Sequence, residues 1–185
     1  MKTIFTKQEI INLIETSLSW MVAFMMLTYG FGKIAQFNGA SDIEKTIPEL
    51  TGMQLMWAFY GYSFSYTLII GFLEILGAIL IFFNRTRIIG CILTSTILVN
   101  IILQDIFFNV LTGALLTAVT LQLFVLAILW INKSKIISVL KIITTHNKSK
   151  DPFKKRIATF TITFIGFIIL WILQHNLISF ISHNI

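Results

Sequence analysis

An all-helical membrane protein is the fold class predicted for this 185-residue chain: a four-helix transmembrane bundle plus a fifth C-terminal transmembrane helix. Three observations predict it. The composition is 56% hydrophobic and only 12% charged, about half the charged fraction of a soluble domain. Five apolar runs reach spanning length, given the roughly 20 residues a bilayer crossing requires. The basic residues gather in alternate connections between those runs, the pattern that sets topology in membranes. The net charge of +6 therefore marks orientation, and no nucleic-acid partner is expected.

The first run covers about Ile10 to Lys33. Lys2 and Lys7 precede it as in a signal peptide, but Glu9 and Glu15 interrupt it and no small-x-small cleavage site follows. It therefore reads as an uncleaved membrane helix, opened by a Thr6-x-x-Glu9 capping box. The second run, Phe64 to Phe83, is expected to close in a left-handed turn at Asn84. The third covers about Ile88 to Phe108 and the fourth Leu111 to Ile131. The fifth, about Ile157 to Ile181, follows Asp151 as N-cap and Pro152 at the first helical position. Residues 1–132 thus form a four-helix domain, 133–156 a basic loop, and 157–185 an additional helix and C-terminus.

Twelve of the fourteen basic residues fall on one side of the five spans: Lys2 and Lys7, Arg85 and Arg87, and eight between Lys133 and Arg156. The other side holds Lys33 and Lys45. Basic connections face the cytoplasm, so the N-terminus is expected inside and the C-terminus outside. Two connections carry more than charge. From Gln36 to Tyr66, Ser41-x-x-Glu44 offers a second capping box, and Leu50 to Tyr60 reads as a short aromatic helix at the outer interface. From Lys135 to Thr145, lysines alternate with Ile136, Ile137, Val139, Leu140, Ile142 and Ile143. That pattern fits a basic helix on anionic lipid, and equally an ordinary positive cytoplasmic loop.

Glu74 is the residue with the most chemistry in it. It lies about ten residues, roughly 15 Å, inside the second span, where a carboxyl is costly and normally faces a polar interior. Gly71, Glu74 and Gly77 recur every third residue, which places Glu74 beside small residues that mark close helix approach. The helices alternate in direction, so Lys33, Asn100, Gln104 and Asp105 fall in the outer half of their spans. These five residues form the expected polar pocket. Lys33 has a second reading as an interfacial anchor, and Asp105 as a cap on the turn into the fourth span, with Asn109 and Gly113.

Other chemistry is sparse. Cys91 is the single cysteine and lies in an apolar segment, which excludes thiol–disulfide exchange by this chain alone. His146, His175 and His183 do not pair across facing spans, so neither a bis-histidine haem nor a metal cluster is expected. Gln122 and Gln174 read as hydrogen-bonders between helices. There is no phosphate loop, nucleophile elbow or HExxH. No self-contained catalytic or redox motif is present, which leaves enzymatic activity undecided.

Tyr29-Gly-Phe-Gly-Lys33 resembles the end of the first helix in DoxX-like proteins, a family of small bacterial integral membrane proteins. Gly71-Phe-Leu-Glu74-Ile-Leu-Gly77, with Asn84-Arg-Thr-Arg87 and Gly90, resembles their second helix and short turn. The likeness covers about Ser17 to Ile131. It implies a four-helix bundle in the bacterial inner (cytoplasmic) membrane, with Lys33 and Glu74 at the family's polar positions. It also implies an accessory subunit of a quinone-linked or oxidative-stress membrane complex, for which a bound quinone or a partner subunit would supply the redox centre. The residues alone allow a different function, a binder or carrier of a small lipophilic ligand around Glu74. A proton-coupled transporter is disfavoured, because five spans show no inverted repeat.

Overall fold

A computed structural model describes residues 5–145 and 152–183. Among the described residues the chain is helical and has no strand. Its elements are α1 (Lys7–Gln36), a 3-10 turn (Ile47–Glu49), α2 (Gly52–Tyr62), α3 (Phe64–Phe82), α4 (Arg87–Phe107), α5 (Thr112–Ile131), α6 (Lys133–Thr144) and α7 (Phe153–His183). Five helices, α1, α3, α4, α5 and α7, are long and apolar enough to cross a membrane. The chain divides between Ile143 and Thr144 into two compact units. The second of these contains the single long helix α7.

In the first unit α1, α3, α4 and α5 form a closed ring: α1 packs on α3 and α5, and α4 packs on the same two helices. Successive spanning helices of this unit run antiparallel: the α3–α4 and α4–α5 connections are short, and the longer α1–α3 connection returns through α2. One end of the bundle therefore collects the start of α1, the end of α3, the start of α4 and the end of α5. The other end collects Lys33, the start of α3 and the end of α4. α2 lies at this Lys33 end, packed on α3.

Lipid removes the hydrophobic drive between helices, so association rests on close packing and hydrogen bonds. The tightest seam is α1 on α3. A Cβ on Gly71 would stand 2.7 Å from the Gly30 carbonyl oxygen, and one on Gly30 2.7 Å from that of Gly71. Only glycine at both positions permits this approach; Lys33 and Glu74 each lie one turn further along their own, antiparallel helices, and the long Lys33 side chain spans the offset. Val22, Met26, Ile81, Leu98 and Val125 are fully buried in the bundle core. Large apolar side chains such as Trp20, Phe24, Phe72, Ile89 and Leu123 point outward, as a lipid-facing surface requires.

Helix ends follow local chemistry, with some differences from expectation. Thr6 and Glu9 form the capping box of α1, with Thr6 N donating to Glu9 Oε2 at 2.7 Å. Ser41 and Glu44 start no helix. The boxes in this connection are Thr46 with Glu49 and Thr51 with Gln54. Thr46 N donates to Glu49 Oε2 at 2.9 Å, and this bond holds the exposed Glu49 carboxyl below its ordinary range. Asn84 does not take the left-handed conformation; its side-chain oxygen instead accepts from Arg87 Nη2. Among the described residues the left-handed residue other than glycine is Asn109, with φ of 51°. There Val110 N donates to Asp105 O at 3.0 Å and Asn109 N to Ile106 O at 3.4 Å, a Schellman ending for α4. Asp151 and His146 lie outside the described residues; α7 begins directly after Pro152.

The basic segment after α5 is helical as α6. Lys133 Nζ stands 4.3 Å from the Trp130 ring centroid, and Lys135 Nζ donates to Asn132 Oδ1 at 3.0 Å. Ile137, Val139, Ile142 and Ile143 are exposed. Gln122 bonds between helices, donating to Ser95 Oγ at 2.8 Å.

Candidate functional site

Two polar clusters sit at opposite ends of the bundle. The one at the Lys33 end surrounds a partly open cavity of about 190 Å³. Four of the five sequence-predicted residues, Lys33, Glu74, Gln104 and Asp105, line it. Asn100 does not. It lies one turn back on the exposed side of α4 and accepts from Gln104 Nε2 at 2.6 Å.

Each side chain arrives through its helix. Lys33 is in the last turn of α1, where a cation also opposes the negative end of the helix dipole. Its Nζ lies 3.5 Å from Glu74 Oε1 and donates to Gln36 Oε1 at 3.1 Å. It also lies 5.4 Å from the Phe37 ring centroid. Glu74 is fully buried on the Gly71/Gly77 face of α3, and Asp105 is buried in the last turn of α4. At 3.5 Å the Lys33–Glu74 contact is an ion pair rather than a hydrogen bond. Both Glu74 oxygens and Asp105 Oδ2 have no hydrogen-bond partner within the protein. Burying such acceptors normally costs about 1–3 kcal/mol each.

The cavity has an aromatic roof, of which the sequence suggested only Trp57 and Tyr60, as part of a short helix at the outer interface. Phe37, Trp57 and Tyr60 line it together with Tyr29. Phe37 stacks on Tyr60 with centroids 4.8 Å apart and meets Trp57 edge-on at 5.4 Å. Tyr60 anchors the roof to the bundle: its hydroxyl donates to Gln104 Oε1 at 2.8 Å, and Thr67 Oγ1 donates to the Tyr60 carbonyl at 2.7 Å. Burial pushes the Tyr60 phenol above its ordinary pKa. The missed signal was positional. Tyr60 and Phe37 fall on opposite sides of the loop that brings α2 back over the bundle, and no local periodicity connects them.

The second cluster, at the other end, was not anticipated. Arg87 Nη1 donates to Glu15 Oε1 at 2.8 Å, and Asn132 Nδ2 donates to the same oxygen at 3.0 Å. Arg87 Nε donates to the Ile81 carbonyl at 3.3 Å, and Nη2 donates to Asn84 Oδ1. One guanidinium thus joins α1, the end of α3 and the start of α4, while Asn132 adds the end of α5. Among the described residues no group of three or more metal-ligating side chains converges.

This fold and site define a polytopic helical membrane protein with an amphipathic cavity at one end of its bundle. The chain is 33% identical over 123 residues to a Bacillus subtilis (strain 168) protein, Uncharacterized protein YwoB. The aligned region covers 65% of this chain and 77% of that protein. The chain belongs to the family of YwoB. No family model matches the chain, and no solved structure does.

Proposed function

We propose that the protein binds a small lipophilic molecule within the membrane, its polar head among Lys33, Glu74 and Asp105 and its apolar body under the aromatic roof. The observation that carries this reading is the pairing of a real cavity with buried carboxylate oxygens that the protein itself leaves without donors. Such a convergence of a few polar groups in an apolar pocket is what ligand recognition needs. The basic connections support an orientation with this end of the bundle at the outer face of the cytoplasmic membrane and α6 at the inner face. A cysteine placed at Asp42 should then react with an impermeant thiol reagent in intact cells, and one at Arg85 should not.

The binding reading is tested by mass spectrometry of protein extracted in mild detergent. The wild type should retain a small lipid-soluble molecule that Glu74→Gln loses without a fall in thermal stability. Wild-type protein that is folded yet carries no such molecule would overturn it.

A second reading, an accessory subunit of a quinone-linked or oxidative-stress complex in the DoxX-like manner, is favoured by Asn100. This amide sits on the exposed side of a spanning helix, where a neighbouring protein helix suits it better than lipid. A stoichiometric partner in the same extraction, lost in Asn100→Leu, would support that reading.

A further inference from the structure

We infer that the ligand of this cavity is an organic cation, an ammonium ion carried on an apolar body. The inference rests on the binding reading above and specifies its chemistry. Three independent features of the pocket converge on that class.

The first is charge. Written as ionised groups, one ammonium (Lys33) faces two carboxylates (Glu74 and Asp105) in a site that is otherwise neutral. Lys33 is already committed to Glu74 and Gln36, so the negative charge left over is centred on Asp105. A single positive charge on the ligand balances it.

The second is hydrogen-bonding polarity. Among the residues that line the cavity, the buried polar atoms lacking hydrogen-bond partners are all carboxylate acceptors: Glu74 Oε1 and Oε2 and Asp105 Oδ2. The phenol of Tyr60 already donates to Gln104, and Gln104 Nε2 already donates to Asn100. Glu74 and Asp105 therefore offer acceptors to a guest. An anion or an acceptor-only head group meets the wrong polarity at these two carboxylates; a cation meets the right one.

The third is the aromatic wall. Phe37, Trp57, Tyr60 and Tyr29 present ring surface to the same space, and Trp57 and Phe37 are held edge to face. Ring faces attract cations, and clustered rings beside a carboxylate form the usual receptacle for alkylated ammonium groups. Lys33 Nζ, 5.4 Å from the Phe37 ring centroid, already sets one cation against a ring of this wall. Met53 and Met56 complete the wall with adaptable apolar surface for the ligand body.

Three probes of similar size separate the alternatives: benzyltrimethylammonium, benzyl alcohol and benzoate. Binding to the full-length protein in lipid nanodiscs is read by isothermal calorimetry, and by Trp57 fluorescence against a Trp57→Phe control. The cation should bind at least about tenfold more tightly than the alcohol, the factor expected from about 1.4 kcal/mol of charge complementarity. Benzoate should not bind. Asp105→Asn should erase the preference for the cation over the alcohol. Trp57→Leu should weaken the cation about fivefold through loss of one cation–π face. Thermal melting of each variant in the same nanodiscs shows that it is folded. Preference for the alcohol or benzoate overturns the cation inference and leaves the binding reading intact. Absence of binding by every probe also overturns it, while the binding reading is decided separately by the molecule retained on extraction.

Discussion

The bundle carries one ion pair at each end, each with one buried and one half-buried partner, and the two are built differently. At the Glu15 end the Arg87 guanidinium meets the carboxylate at 2.8 Å, and all three of its donor nitrogens have named acceptors. At the Lys33 end the ammonium stands 3.5 Å from a carboxylate that makes no hydrogen bond. The first end uses a planar fork whose donors reach α1, the end of α3 and the turn that follows it, and Asn132 at the end of α5 donates to the same Glu15 oxygen. The second uses a point charge on a flexible stem and surrounds it with a cavity. A satisfied buried pair fixes geometry, whereas an unsatisfied one keeps interaction energy available for something else. The difference fits a structural role at the Glu15 end and, on the binding reading proposed above, recognition at the Lys33 end.

The comparison is broken most forcefully at Arg87. Arg87→Met leaves the Glu15 carboxylate without its cation inside the packed bundle, and should cost about 3 kcal/mol. A thermal-melt series in detergent would read this, and the double variant Glu15→Gln/Arg87→Met should recover most of the loss. Stability unchanged by the single variant would remove the structural role from this end.

Gly71→Leu comes next. A side chain there enters the Gly30 carbonyl and the Lys33 stem, so the α1–α3 seam must open at a cost of about 1–3 kcal/mol. Because the same seam sets the Lys33–Glu74 distance, ligand retention should fall with stability, whereas Arg87→Met should spare retention in the fraction that stays folded.

Glu74→Gln sharpens the contrast from the other side. The carboxylate forms no hydrogen bond, so melting should shift by less than the equivalent of about 1 kcal/mol while the retained molecule is lost. A large loss of stability here would make the two ends alike and undo the distinction between them. Tyr60→Phe should be the mildest, deleting one bond to Gln104 worth about 1 kcal/mol. Its signature is a severalfold weaker retention from a loosened roof, read by the same extraction.

The length and apolarity of the runs made the five spans legible in the sequence to within a few residues, because a bilayer imposes a length that no other solvent does. Glu74 was legible for the same reason: a carboxyl between Gly71 and Gly77 inside a span has few places to point. The corrected turns were those where several residues compete for one local role. Asn84 and Asn109 have the same intrinsic tolerance of positive φ, and the Arg87 fork claimed the first for a side-chain bond. Ser41, Thr46 and Thr51 each precede a plausible capping partner, and the boxes formed at the two nearest α2.

The sequence by itself determined that this is a helical membrane protein, where its spans lie and which intramembrane residue is costly. These are properties of single segments in a single solvent. Only the packing of the helices fixed the Lys33–Glu74 distance, kept Asn100 outside the cavity, set Phe37, Trp57 and Tyr60 over it, and brought Glu15 to Arg87 at the far end. Each depends on which face one helix turns toward another. A chain with apolar residues on every face leaves that rotation to be set by the few glycines and polar groups that can meet only one way.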